Sequence, residues 1–157
     1  MIKVYEGNIF TTSAEIIAHQ VNCQGVMGAG LAKQIRNTYP EVYEAYRDHC
    51  LNHEKSGALL LGSILYKPVK NKRLCIANLF AQDKFGKGCQ TDYEALKKCF
   101  NTLEQHAGAK NFKVAIPFKI GCGLAGGDWE SVVFPMIKDL FAQSSTELEI
   151  WKLNKTK

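Results

Sequence analysis

Three side chains stand where they could move a proton or place a water. His19 lies inside the apolar run Ile16–Val21, Asn22 follows that run directly, and Asp128 precedes Trp129 where a helical pattern begins. A histidine is the side chain whose charge changes most readily near neutral pH, which suits general acid or base work. An asparagine at a strand end can hold a water or a hydroxyl, and an aspartate can activate a water. Each residue also has a purely structural use. A histidine in an apolar strand can bond backbone or a neighbour in the core. Asparagine forms turns by bonding its own backbone, and aspartate caps helices, with Glu130 adding first-turn charge. Cys122 sits between Gly121 and Gly123, where a helix N-terminus could lower its pKa and make it a nucleophile.

These residues lie in or beside two glycine-rich segments, 22–32 and 119–130. Each follows an apolar run and leads into a helical pattern. A strand passing through glycines into a helix start suits an anion. The first backbone N–H groups of the helix are unpaired, its dipole is positive there, and glycines let a ligand reach the backbone. The first segment, Gly25-x-x-Gly28-x-Gly30, lacks the Gly-Lys-Ser/Thr of a Walker loop and has the wrong order for a dinucleotide fingerprint. Taken singly, each segment reads as a tight turn that needs glycine conformations. As a pair at one edge of a sheet, they could clamp the two sides of a diphosphate.

The elements that position them alternate. Strands are predicted at 2–5, 16–21, 59–66, 74–80, 112–117 and 148–153, and helices at 30–38, from Pro40 through Cys50, after the cap-like Thr91-Asp92-Tyr93-Glu94, and at 129–141. Residues 67–72 are expected to form a basic turn or hairpin. Strands alternating with helices predict an α/β layer fold with helices on both faces of a mixed sheet, whose ligands bind beyond the carboxyl ends of the strands.

The 157 residues suit one domain, read as 1–154 with 155–157 as a loose tail. No stretch resembles a signal peptide or reaches membrane-span length, so a soluble, cytoplasmic protein without membrane contact is expected. The six cysteines form no Cys-x-x-Cys pair and read as reduced thiols, and no metal-ligand spacing occurs. The net charge of +5 comes from scattered lysines and arginines, with a small excess at Lys67, Lys70, Lys72 and Arg73. This suits mild attraction to anionic ligands better than a dedicated nucleic-acid surface.

The two segments resemble those of macrodomains, the ADP-ribose-binding family. Gly7-Asn8-Ile9-Phe10 is similar to an early Gly-Asp-Ile-Thr-type motif of that family, residues 19–25 and 28–32 to its first phosphate-side loop, and Ile120-Gly121-Cys122-Gly123-Leu124 to its second. His19, Asn22-Cys23, Leu79-Phe80 with Phe85-Gly86, Trp129 and Trp151-Lys152-Leu153 resemble the branch that holds the yeast ADP-ribose 1''-phosphate phosphatase and the human terminal ADP-ribose protein glycohydrolase.

The resemblance implies a three-layer α/β/α macrodomain with a central mixed β-sheet. It implies that Asn8 and Ile9 face adenine, with Leu153 lining that pocket. Asn8 stands where aspartate is commoner; it still accepts a hydrogen bond, but without charge. Gly28, Ala29, Gly30 and Leu31 would meet one phosphate through backbone N–H groups. Ile120, Gly121, Cys122, Gly123 and Leu124 would wrap the other phosphate and the distal ribose. The implied ligand is ADP-ribose or a derivative, free or attached to protein or nucleic acid, with no further cofactor. The glycohydrolase type uses a lysine after the middle strand and an aspartate after Gly-Cys-Gly-Leu. This chain is expected to carry Ala81 and Ala125 there, with Lys84 and Asp128 three residues further on in each case. The resemblance therefore implies either a hydrolase acting at the distal ribose, with His19, Asn22 or Asp128 placing a water, or a non-catalytic ADP-ribose reader. A nucleic-acid binder is the third alternative.

Overall fold

The computed structural model describes residues 1–56 and 59–153. The tail expected at 155–157 lies outside the described residues. Six strands form one sheet: β1 (Ile2–Glu6), β2 (Ile16–Val21), β3 (Ile64–Pro68), β4 (Cys75–Phe80), β5 (Val114–Pro117) and β6 (Leu148–Lys152). Their order is β1-β6-β5-β2-β4-β3. All neighbours run parallel except β3, which pairs antiparallel with β4 at the edge. The central strands β2, β4 and β5 are apolar along nearly their whole length, as strands covered on both faces must be.

Four helices cover the two faces: α1 (Gly30–Thr38), α2 (Pro40–Ser56), α3 (Tyr93–Lys110) and α4 (Phe134–Phe141). The pleat sorts the side chains. Ile16 and Ala18 of β2 pack with Leu96, Phe100 and Leu103 of α3 and Ile137 and Phe141 of α4. Ile17, one residue out of phase, packs with Ile35 of α1 and Val42 of α2, and Val21 packs with Tyr46 of α2. The three-layer α/β/α arrangement follows from this two-sided burial. Tyr43 and Tyr46 share a face of α2, with Tyr46 buried and stacked on Phe80 at 5.9 Å, whereas Tyr39 sits between α1 and α2 and packs with Ile35 and Val42.

Three predicted boundaries are corrected. The strand expected at 59–66 begins only at Ile64. Gly62 takes φ +91°, and Ser63 N–H donates to Leu60 O at 2.9 Å, so 59–63 is a turn with Leu59 exposed. The strand expected from Phe112 begins at Val114, because Asn111 ends α3 in the left-handed conformation and Phe112 N–H closes back onto Ala107 O. The single helix expected at 129–141 is a π-helical turn, Trp129–Val133, followed by α4. Phe134 N–H donates five residues back to Trp129 O. Pro135 has no N–H with which to restore ordinary helical spacing in the next step.

The carboxyl ends of β1, β2, β4, β5 and β6 share one edge, so both glycine segments emerge there. The basic turn between β3 and β4 lies at the opposite edge. No described helix is long and apolar enough to cross a membrane.

Candidate functional site

A cavity of about 670 Å³ opens at this carboxyl edge. Three segments and the end of β2 wall it. Segment 22–32 supplies Gly28 and Ala29, the segment after β4 supplies Gln82, Phe85 and Lys87, and the second glycine segment supplies Leu124 and Ala125. Gln20 and Val21 close it from β2. A smaller cavity of about 480 Å³, with Arg47 and Cys50 on its wall, lies next to Cys23 and Asp83.

The first segment is shaped by Asn22. Its Nδ2 donates to Val26 O at 2.8 Å, and its Oδ1 accepts from Gln24 N–H at 3.0 Å and from the Tyr46 hydroxyl at 2.7 Å. The amide thus folds the turn and ties it to α2. Beyond that turn, Gly30 takes φ +57° and α1 starts from Ala29, which offers no side-chain cap; no acidic residue sits in the first turn. Among the described residues, no protein acceptor meets the N–H of Gly28, Ala29, Gly30 or Leu31. These donors and the positive end of the helix dipole leave a place for an anion.

The second segment folds on itself. Cys122 N–H donates to Lys119 O at 2.8 Å, Gly126 N–H to Gly123 O at 3.1 Å, and Gly127 N–H to Gly121 O at 2.9 Å. Gly121, Gly123 and Leu124 keep N–H groups without a protein acceptor among the described residues. Leu124 is 79% exposed beside the cavity, and Ile120 is buried beneath the turn.

A polar network joins the segments. Gln20 Nε2 donates to Gln82 Oε1 at 2.9 Å and to Thr91 Oγ1 at 2.8 Å, and the Thr91 hydroxyl donates to Gly121 O at 2.6 Å. Gln90 N–H donates to Ala125 O at 2.7 Å. Nothing in the local sequence marks Gln20, Gln82, Lys87 or Thr91 as residues of a site. Gln20 and Thr91 are 71 residues apart in the chain, so no local spacing marks their partnership.

The structure disperses the residues selected for acid–base chemistry. His19 is buried, not on the cavity wall. Its Nε2 lies 2.7 Å from Asn78 Oδ1, on the β4 residue that is its register partner. Asn78 Nδ2 donates to Leu65 O, so its oxygen faces the ring and Nε2 carries the proton. Burial pushes the His19 pKa down to about 4, against a smaller opposing effect of the Asn78 bond. A neutral, enclosed imidazole fits the reading of His19 as a core histidine better than a role at the distal ribose.

Asp128 is exposed and does not line the cavity. Its carboxylate caps the π-helical turn, accepting from Ser131 N–H at 3.0 Å, and its own N–H donates to the Tyr93 hydroxyl at 2.9 Å. Cys122 is half-buried, and desolvation, helped by the Asp128 charge, raises its pKa to about 11. It is a thiol at neutral pH, not an activated nucleophile. Ala81 is fully buried in the core, Ala125 lines the cavity, and Lys84 does not. Among the described residues, no group of three or more His, Cys, Asp or Glu is placed to hold a metal.

Asn8, Ile9 and Leu153 gather at the β1–β6 end of the same edge, where Gly7 N–H donates to Lys152 O at 2.9 Å. They do not line the 670 Å³ cavity. Asn8 Oδ1 accepts from Phe10 N–H at 2.9 Å and caps a short 3₁₀ turn; Ile9 is buried; Leu153 is 67% exposed. Trp151 stacks on Tyr5 at 5.0 Å, and its Nε1 donates to Glu149 Oε1 at 2.9 Å. Glu149 is itself buried and also accepts from the Thr12 hydroxyl at 2.5 Å, which fixes the loop after β1.

The family model of the Macro domain matches residues 18–136. The chain belongs to the Macro domain family. This macrodomain is 32% identical over 102 residues to the ADP-ribose 1''-phosphate phosphatase of Debaryomyces hansenii, covering 55% of the chain and 57% of the relative. It is 30% identical over 155 residues to a 17.5 kDa protein of the tk-vs intergenic region of Enterobacteria phage T4, covering 96% and 94%. It is 27% identical over 169 residues to the DNA ADP-ribosyl transferase–DNA ADP-ribosyl glycohydrolase fusion protein of Thermosipho africanus, covering 95% of the chain and 40% of the fusion. The chain thus spans little more than half of the yeast phosphatase and less than half of the fusion protein. Among solved structures, it superposes on the DarG macrodomain of Mycobacterium tuberculosis with a TM-score of 0.80 and 25% identity, covering 96% and 97%. It superposes on Thermosipho africanus DarTG in complex with ADP-ribose with a TM-score of 0.82 and 20% identity, covering 99% and 42%.

Proposed function

We propose that this macrodomain binds ADP-ribose and hydrolyses an ADP-ribose derivative at its distal ribose, releasing phosphate, acetate or a macromolecular conjugate. One observation carries the reading. Two glycine segments with unpaired N–H groups face each other, at the carboxyl edge of a mostly parallel sheet, across a cavity that no carboxylate among the described residues lines. Its 670 Å³ falls within the roughly 300–1,000 Å³ of small-molecule sites. The names of the yeast phosphatase and the Thermosipho fusion protein support a hydrolase acting on such derivatives.

In this reading, Gly28, Ala29, Gly30 and Leu31 donate to one phosphate. Gly121, Gly123 and Leu124 donate to the other phosphate and approach the distal ribose. Asn8, Ile9 and Leu153 receive the adenine at the β1–β6 end. Asn22 holds the first segment in place, and the amide of Gln82, anchored by Gln20, faces the distal end where a water would attack. Orientation of water and sugar supplies the rate enhancement.

The second reading is a reader that binds ADP-ribose without turnover. It is favoured by Ala81 and Ala125 where the glycohydrolase type would carry lysine and aspartate. Calorimetry with ADP-ribose tests what the two readings share: absence of heat and of any thermal shift at high ligand would defeat both. Initial rates on ADP-ribose 1''-phosphate, O-acetyl-ADP-ribose and ADP-ribosylated protein or DNA separate them, with turnover of at least one expected from the enzyme and of none from the reader.

A further inference from the structure

Among the described residues, Lys87 is the sole ionisable one on the wall of the 670 Å³ cavity; the other lining groups are amides, glycines and apolar side chains. Nearby carboxylates are turned elsewhere. Asp83 Oδ1 accepts from Gln24 Nε2 at 3.2 Å beside the smaller cavity, and Asp128 caps its own turn. The ion pairs among the described residues belong to Lys3, Arg47 and Lys113, so the Lys87 charge has no carboxylate partner.

Its backbone is nevertheless tied to the site. Gln90 Nε2 donates to Lys87 O at 2.9 Å, and Gln82 Nε2 donates to Lys84 O at 2.9 Å. Gly88 O lies only 2.8 Å from where a Cβ on Gly126 would stand, so this segment packs directly on the second glycine segment. The diphosphate of the proposed ligand is matched by neutral backbone donors on the two glycine segments. An unpaired cation beside the second of them is left for a charge that ADP-ribose itself does not carry.

We propose that Lys87 is a specificity-determining residue, favouring ADP-ribose derivatives with a phosphate beyond the distal ribose over those with a neutral substituent. This rests on the ADP-ribose reading of the site. Such a phosphate has two sources: a terminal 1''-phosphate, or the backbone of a nucleic acid joined to the ribose.

The test compares ADP-ribose, ADP-ribose 1''-phosphate, an ADP-ribosylated oligonucleotide and an ADP-ribosylated neutral peptide, by affinity or, where turnover occurs, by kcat/KM. Wild type prefers the phosphate-bearing ligands, and Lys87→Ala lowers that preference ratio about tenfold or more, as expected for a lost charge-assisted hydrogen bond. Lys87→Arg retains most of the ratio, and added salt shrinks it in wild type. A drop shared with the oligonucleotide points to backbone phosphate as well; a drop confined to the 1''-phosphate points to the terminal monoester. A ratio unchanged in Lys87→Ala overturns the proposal, including the case where both affinities fall together because Lys87 serves the diphosphate. Failure of wild type to bind ADP-ribose at all overturns the reading of the site, and this inference with it.

Discussion

Gln20 Oε1 lies 2.7 Å from the point a Cβ on Gly121 would occupy, and Thr91 Oγ1 lies 3.3 Å from it. The second glycine segment therefore needs glycine here for two reasons: φ is +72°, and the space belongs to the network that joins β2 to the segment after β4. Gly121→Ala is expected to push Gln20 off Gln82 and Thr91. We expect at least a tenfold loss of ADP-ribose affinity, with destabilisation of about 1–3 kcal/mol from backbone strain and broken hydrogen bonds. Calorimetry and thermal unfolding check both. Gly123→Ala, with open space around its Cβ, serves as the mild control for stability.

Asn22 spends its side chain on shaping the first segment. Asn22→Ala leaves Val26 O and the buried Tyr46 hydroxyl with fewer partners, and is expected to cost about 1–3 kcal/mol along with ADP-ribose affinity. Asn22→Asp keeps the shape but removes the donor to Val26 O, so it should also weaken binding. If Asn22 only placed a water, turnover would fall while affinity and melting temperature stayed at wild-type values.

His19 makes stability depend on pH. Its folded pKa of about 4 lies below the ordinary 6.5, so between these values the unfolded chain takes up a proton that the folded chain refuses. Stability is full above about pH 6.5 and declines as pH falls toward 4, by about 3 kcal/mol. Denaturant unfolding from pH 4 to 7 should show this slope in wild type and a flatter one in His19→Gln. Equal slopes would show that His19 does not carry the effect.

Asp128→Ala removes the cap of the π-helical turn, with an expected loss of about 0.5–2 kcal/mol. Because Asp128 stands outside the cavity wall, turnover per folded molecule is expected to stay within about twofold of wild type. A hundredfold loss of kcat with an unchanged melting temperature would return Asp128 to catalysis.

Much of the fold was legible because its signals are local. The run Ile16–Val21 and the stretch from Gly30 to Thr38 have the observed boundaries, set by continuous apolar character and by the glycines and Pro40 that frame the helix. The errors fell where a local pattern met a backbone event: Gly62 and Asn111 at positive φ, and Pro135 inside a helical repeat. The apolar character of 59–63 and of Phe112 resembles strand, yet turn geometry decided both.

For the site, the sequence by itself determined the two glycine segments and the edge they share, because a strand, a glycine turn and a helix start are contiguous in the chain. The tertiary structure alone decided which side chains line the cavity. A strand's pleat sends Gln20 toward the second glycine segment and its neighbour His19 into the opposite layer, and that phase depends on which helices cover which face. The same folding carried Gln82 and Lys87 from a distant stretch of chain onto the wall and buried Thr91 against Gln20, while turning Asp128 away to cap a helix. Contacts between residues 71 positions apart leave no trace in local spacing, since only packing against the common sheet brings them together.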